Sequence, residues 1–244
     1  MIEYIIGLDL SISGTGICVM QRPHFQRIRS PETVEEQVKI IHTERLHCPL
    51  NADASHWEHT HRLLRITDAI IDICATHCIV GPPHYDKEWI KEHKDWYMQR
   101  VRTAIDQTAF YAEGYAFGAA YQAHQLGEVG GAVMIRLAEY TKPLIRVPAS
   151  SIRKLLVGFS PSKANKCDPK KIVHACVSKV LFNTGSTKPI TYDESDAVAV
   201  ANYGCSEEFG SCLSLGYTSA QANAIKAPVP VLTIKKPSKK KKKS

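Results

Sequence analysis

The stretch Tyr4-Ile5-Ile6-Gly7-Leu8-Asp9-Leu10-Ser11-Ile12-Ser13-Gly14-Thr15-Gly16 decides how this chain is read. Its first half is a short apolar run of the kind that forms a buried strand. Ser13-Gly14 supplies a turn, and Thr15 to Met20 reads as the hairpin partner. Asp9 interrupts the apolar run. An ionised carboxylate among such neighbours is costly to bury unless something positive compensates it.

The rest of the pattern extends outward from this hairpin. Val38 to Arg45 reads as a third strand. His61 to Cys78 has apolar residues at 63, 64, 66, 70, 71, 73 and 74, a helical period, and Gly81-Pro82-Pro83 ends it. Residues 84–107, rich in charge and carrying Tyr85, Trp89, Trp96 and Tyr97, read as an inserted helix. Thr108 to Glu113 is a short strand, and Tyr115 to Glu139 a long helix whose small residues predict close packing. Leu144 to Val147 follows as a strand, Ala149 to Leu156 as a helix, and Gly158 to Asp168 as a polar loop. Pro169 to Phe182, with proline suited to a first turn, and Asp193 to Tyr203 close the ordered part. The order predicts an α/β fold, a mixed sheet flanked by helices on both faces. One domain is expected over residues 1–204, with the insertion at about 81–107, and a loosely folded to disordered tail over 205–244.

Composition narrows the function classes. The net charge is +7, but the last 23 residues hold eight lysines and no acid, so the remainder is near −1. A DNA-binding surface on the body must then be a local patch. The lysine tail adds a sequence-blind attraction for polyanions. No run approaches a membrane span, and the start lacks a basic segment followed by an apolar one. The expectation is therefore a cytoplasmic protein, in a bacterium or a phage-infected host, without membrane contact. The eight cysteines contain no CxxC pair and read as free thiols. His56, His59 and His61, or Cys74, His77 and Cys78, lack a convincing second pair of ligands, so no zinc is assigned.

Three more acids sit where elements end. Glu113 closes the apolar strand Phe110-Tyr111-Ala112 and precedes Gly114. Asp193 and Asp196 share a helical face, while Glu194 points elsewhere. If the two strand ends are neighbours and the helix start faces them, four carboxylates converge, and such a cluster invites divalent cations. Two Mg²⁺ ions about 3.5–4 Å apart activate a water and stabilise the leaving oxygen of a phosphodiester. Each acid has a plainer explanation: a helix N-cap for Asp193, a first-turn acid for Asp196, an ordinary strand-end charge for Glu113.

Taken together, several motifs resemble the RuvC family of Holliday junction resolvases. Gly7 to Gly16 resembles their opening hairpin, and Ala112-Glu113-Gly114-Tyr115 their second acidic strand. Gln125 to Val133 is similar to a Gly-rich helix of phage members. Pro148 to Lys154 and Asp193-Glu194-Ser195-Asp196-Ala197 complete the order over roughly residues 4–204. The resemblance implies an RNase H-like fold, two Mg²⁺ (Mn²⁺ substituting), a homodimer, and cleavage of four-way DNA junctions. Asp9, Glu113, Asp193 and Asp196 would be the metal ligands, and Lys170 the basic residue near the scissile phosphate. Tyr115 and Phe117 stand near the position of the family's junction-entering aromatic. Residues 81–107 and the lysine tail depart from the pattern.

Lys163, Lys166 and Lys171 are further DNA-binding candidates, in a loop whose Ser, Asn and Gly residues let a phosphate backbone approach, and Arg153 and Lys154 of the preceding helix are similar candidates. Lys170 could equally be a solvated charge at a helix start. The aromatics of the insertion could stack on unpaired bases or pack against the body. Other classes remain open: a superfamily nuclease for flaps or RNA–DNA hybrids, and a catalytically silent DNA-binding protein. An actin-like ATPase would need a second Gly-rich phosphate loop after another Asp strand, and the sequence has none.

Overall fold

In the computed structural model the described residues are 1–11, 13–23, 38–48, 55–79, 87–114, 120–158, 168–183, 189–210 and 213, without the side chains of 87, 120–126 and 182–183. The strands are β1 (Tyr4–Asp9), β2 (Gly14–Gln21), β3 (Lys39–His47), β4 (Thr108–Glu113) and β5 (Leu144–Val147). The helices are α1 (His56–His77), α2 (Lys87–Glu92), α3 (Lys94–Asp106), α4 (Ala120–Ala138), α5 (Ala149–Val157), α6 (Pro169–Asn183) and α7 (Tyr192–Phe209). The sheet runs β3-β2-β1-β4-β5. β1, β2 and β3 form an antiparallel meander, and β4 and β5 add on in parallel to β1.

Alternation along the strands sorts side chains onto two cores. Ile5, Cys18, Met20, Ala109 and Tyr111 face α5, α6 and α7. Tyr4, Ile6, Leu8, Ile17, Val19, Phe110 and Ala112 face α1, α3 and α4. The expected mixed sheet covered on both faces is what forms, an RNase H-like α/β architecture.

Several boundaries differ from expectation. α1 starts at His56, not His61, because Ser55 and Glu58 form a capping box. The inserted helix is two helices that meet at His93. α7 continues to Phe209, past the expected end at Tyr203, and Asn202 bonds to the backbone of buried Leu213. Tyr97 donates to Asp72, and Val101, Ala104 and Ile105 are buried, so this face of the insertion packs on the body. Trp89 and Trp96 meet edge to face, with Arg100 over Trp96. Gly127 and Gly131 of α4 have open space where a side chain would be, so among the described residues the close packing expected of its small residues does not form at these two positions. Cys18, Cys48, Cys74, Cys78, Cys176 and Cys205 are free thiols. Residues 115–119, 159–167 and 214–244 lie outside the described set, and with them Tyr115, Phe117, Lys163, Lys166 and the lysine tail.

What positions the site is the contact between α7 and the first hairpin. A methyl on Gly7 would overlap the backbone of Ala197 and Ala201, and one on Gly16 the backbone of Asp193 and Glu194. Only hydrogen fits at either place. Gly16→Ala should therefore push the start of α7 off β2 and lower the unfolding free energy by about 1–3 kcal/mol, read from urea denaturation. An unchanged midpoint would mean that the helix does not rest on the hairpin.

Candidate carboxylate site

β1 and β4 are parallel neighbours, with Leu8 opposite Ala112, so Asp9 and Glu113 end adjacent strands at the same edge. Both have odd numbers, in step with Ile5, Gly7, Ala109 and Tyr111, which lie on the α7 side of the sheet. β1 and β4 thus aim two acids at the helix that carries the other two.

α7 is held at its start by Thr191, whose hydroxyl accepts from the Glu194 backbone, while Glu194 reaches back to Thr191. The N-cap is therefore Thr191, not Asp193. Glu194 is buried in this capping box and turned from the acids, as its register predicts. Asp193 and Asp196 are left on the face toward the sheet. Ser195 donates to the Thr191 carbonyl and meets His174 Nδ1 at 2.9 Å, which ties α6 to α7. Asp168 caps α6 by accepting from the backbone of Lys170 and Lys171.

The acids perturb one another. Burial, then the negative charge of Asp196, then those of Glu113 and Asp193 push Asp9 up to about 8, against the pull of Lys170. Burial raises Glu113, with Arg153 opposing it and Asp196 adding to it. Burial likewise raises Asp196, opposed by Lys170 and Arg153. Burial by itself would lower Lys170, but Asp196 and Asp9 outweigh it and hold the ammonium charged. All four carboxylates and Lys170 therefore share one electrostatic neighbourhood.

Three of the acids face a basic side chain. Lys170 Nζ lies 3.4 Å from Asp196, Arg153 donates to Glu113 at 3.4 Å, and Arg45 Nε donates to Asp193 at 2.7 Å. Lys170 and Arg153 were candidates from sequence, whereas Arg45 was not. It enters through the pairing of β3 with β2, which sets it opposite Gly16. Lys154 and Lys171 are exposed. Among the described residues, no three His, Cys, Asp or Glu side chains form a ready metal-ligand group. The donors are nonetheless all carboxylate oxygens, the chemistry that suits a hard divalent cation. They fit such an ion in type, and their mutual charge effects put them in one neighbourhood.

No family model matches the sequence, and no curated protein resembles it closely enough to match. Solved structures do. Thermus thermophilus RuvC aligns with a TM-score of 0.52 at 16% identity, over 86% of this chain and 98% of that one. T. thermophilus RuvC in complex with a Holliday junction substrate aligns at 0.49 and 14% identity, over 82% and 90%. At such identities the likeness is one of fold: this chain has the RuvC-like form of the RNase H-like α/β fold.

Proposed function

We propose that this protein is a metal-dependent endonuclease that cuts phosphodiesters in branched DNA, with the four-way junction as its preferred substrate. The observation that carries the reading is the convergence of Asp9, Glu113, Asp193 and Asp196, with Lys170 held 3.4 Å from Asp196. The shared fold and the ordered motifs support it.

In this reading the four carboxylates hold two divalent cations, Mg²⁺ or Mn²⁺, which supply an activated water and charge stabilisation at the leaving oxygen. The chain's own residues do the rest. β1 and β4 fix two acids on rigid strand ends. The Thr191–Glu194 capping box fixes the first turn of α7 and so the aim of Asp193 and Asp196. Lys170, anchored on capped α6, puts a positive charge where a scissile phosphate would enter, and it serves both binding and the transition state. Arg153, Lys154 and Lys171 carry the flanking backbone, with Lys163 and Lys166 beside them in sequence.

The active form is a two-fold dimer, matched to a substrate with paired scissile strands. Its support is a stripe on α4, where Gly127 and Gly131 are open and Met134 and Ile135 are largely exposed on the turns that follow. Light scattering should find a dimer that Ile135→Asp converts to monomer. Monomer alone, both free and junction-bound, contradicts this part.

The chemistry is tested by cleavage with Mg²⁺ beside a gel shift in Ca²⁺. Asp9→Asn and Asp196→Asn should abolish cleavage and keep binding, because losing a negative charge lessens repulsion of phosphates. Lys170→Ala should slow cleavage by about a hundredfold, as expected for loss of one electrostatic stabiliser. Glu194→Gln should cut near the wild-type rate, since glutamine keeps the capping acceptor. A panel of four-way junction, flap, splayed arm, RNA–DNA hybrid and plain duplex separates substrates. Normal cutting by the Asp variants, or preference for the hybrid, overturns the proposal.

A further inference from the structure

We infer that Arg45 is a positioning residue that competes with the divalent cation: its guanidinium holds the Asp193 carboxylate until a metal takes it. The inference rests on the function proposed above and adds to it a built-in competitor for one ligand.

The geometry is particular to this pair. Arg45 Nε donates to Asp193 Oδ2 at 2.7 Å across 148 residues of sequence, joining β3 to the start of α7. The side chain crosses β2 at its glycines. It stands opposite Gly16, and a Cβ on Gly14 would come within 2.7 Å of both Nε and Nη2. Glycine at 14 is therefore what gives the guanidinium its seat. The contact is through a single nitrogen, not a two-pronged fork, and the two side chains are 38% and 23% exposed. Such a pair is well oriented but weakly held, because solvent screens it. Asp196, by contrast, keeps only 8% exposure against Lys170. Asp193 is thus more readily exchanged to a metal ion than Asp196, and its 2.7 Å bond makes Arg45 a closer competitor than Arg153, which meets Glu113 at 3.4 Å. By linkage, whatever the metal must displace weakens its binding by the same factor.

The test is calorimetric titration of the full chain with Mn²⁺ alone, without DNA, on protein shown by thermal melting to be folded. Arg45→Gln removes the competitor. Gly14→Ala keeps its charge but fills its seat, and the neighbour it disturbs is the far end of a flexible side chain. Both should bind Mn²⁺ about fivefold or more tightly than wild type. If wild type binds Mn²⁺ and neither variant binds more tightly, the competition is overturned while the nuclease reading stands. Tighter binding by Arg45→Gln with no change in Gly14→Ala would reduce the effect to net charge and overturn it too. Binding by the variants but not by wild type would support it in its strongest form. If no form of the protein binds Mn²⁺, the carboxylates are not a metal site, and both readings fall.

Discussion

Four carboxylates brought to one partly buried place cannot all be ionised without positive charge beside them. Desolvation penalises each, and each raises the energy of the others. Three sources of relief exist: protons, basic side chains and metal ions. The structure displays the second, and burial favours the first. Asp9 is pushed up to about 8, and Asp196, Glu113 and Asp193 face Lys170, Arg153 and Arg45 respectively. An enzyme of the proposed kind exchanges these for the third when it takes up its ions.

The fold brings the acids together by simple means. Parallel pairing of β1 with β4 makes two strand ends neighbours, and the parity of 9 and 113 turns both toward α7. Gly7 and Gly16 let that helix lie directly on the hairpin. The capping box then sets its first turn, and capped α6 brings Lys170 to it. Each device is local, but their effects meet at one point.

Much of this was legible in the sequence, because the signals are local. Asp9 stands out against its apolar run, Glu113 ends a strand, and Asp193 and Asp196 repeat at helical spacing. The capping motifs Ser55-His56-Trp57-Glu58 and Thr191-Tyr192-Asp193-Glu194 are equally local, but apolar periodicity, which begins only at Leu63, hides the first, and Asp193 is itself a good cap residue that masks the second. Arg45 was out of reach. Its role depends on the register of β3 on β2, which slips between Val19 and Met20, and on the room that Gly14 leaves for the guanidinium. The open face of α4 escaped for a similar reason: small residues predict close approach but do not say to what.

The central claim is that the cluster needs a counter-charge, and thermal melting against pH tests it most directly. Asp9 has its folded value raised from 3.8 to about 8, so the stability it contributes is full below pH about 4 and is lost as pH rises through about 8. The upward shifts of Glu113 and Asp196 act with the same sign. Without divalent ions, wild-type protein should therefore lose melting temperature relative to Asp9→Asn between pH about 5 and about 8. Mg²⁺ should restore wild type at the alkaline end, where Asp9 is giving up its proton, and do little at the acidic end. Parallel pH curves for the two proteins, or no response to Mg²⁺ at either end, would contradict the account.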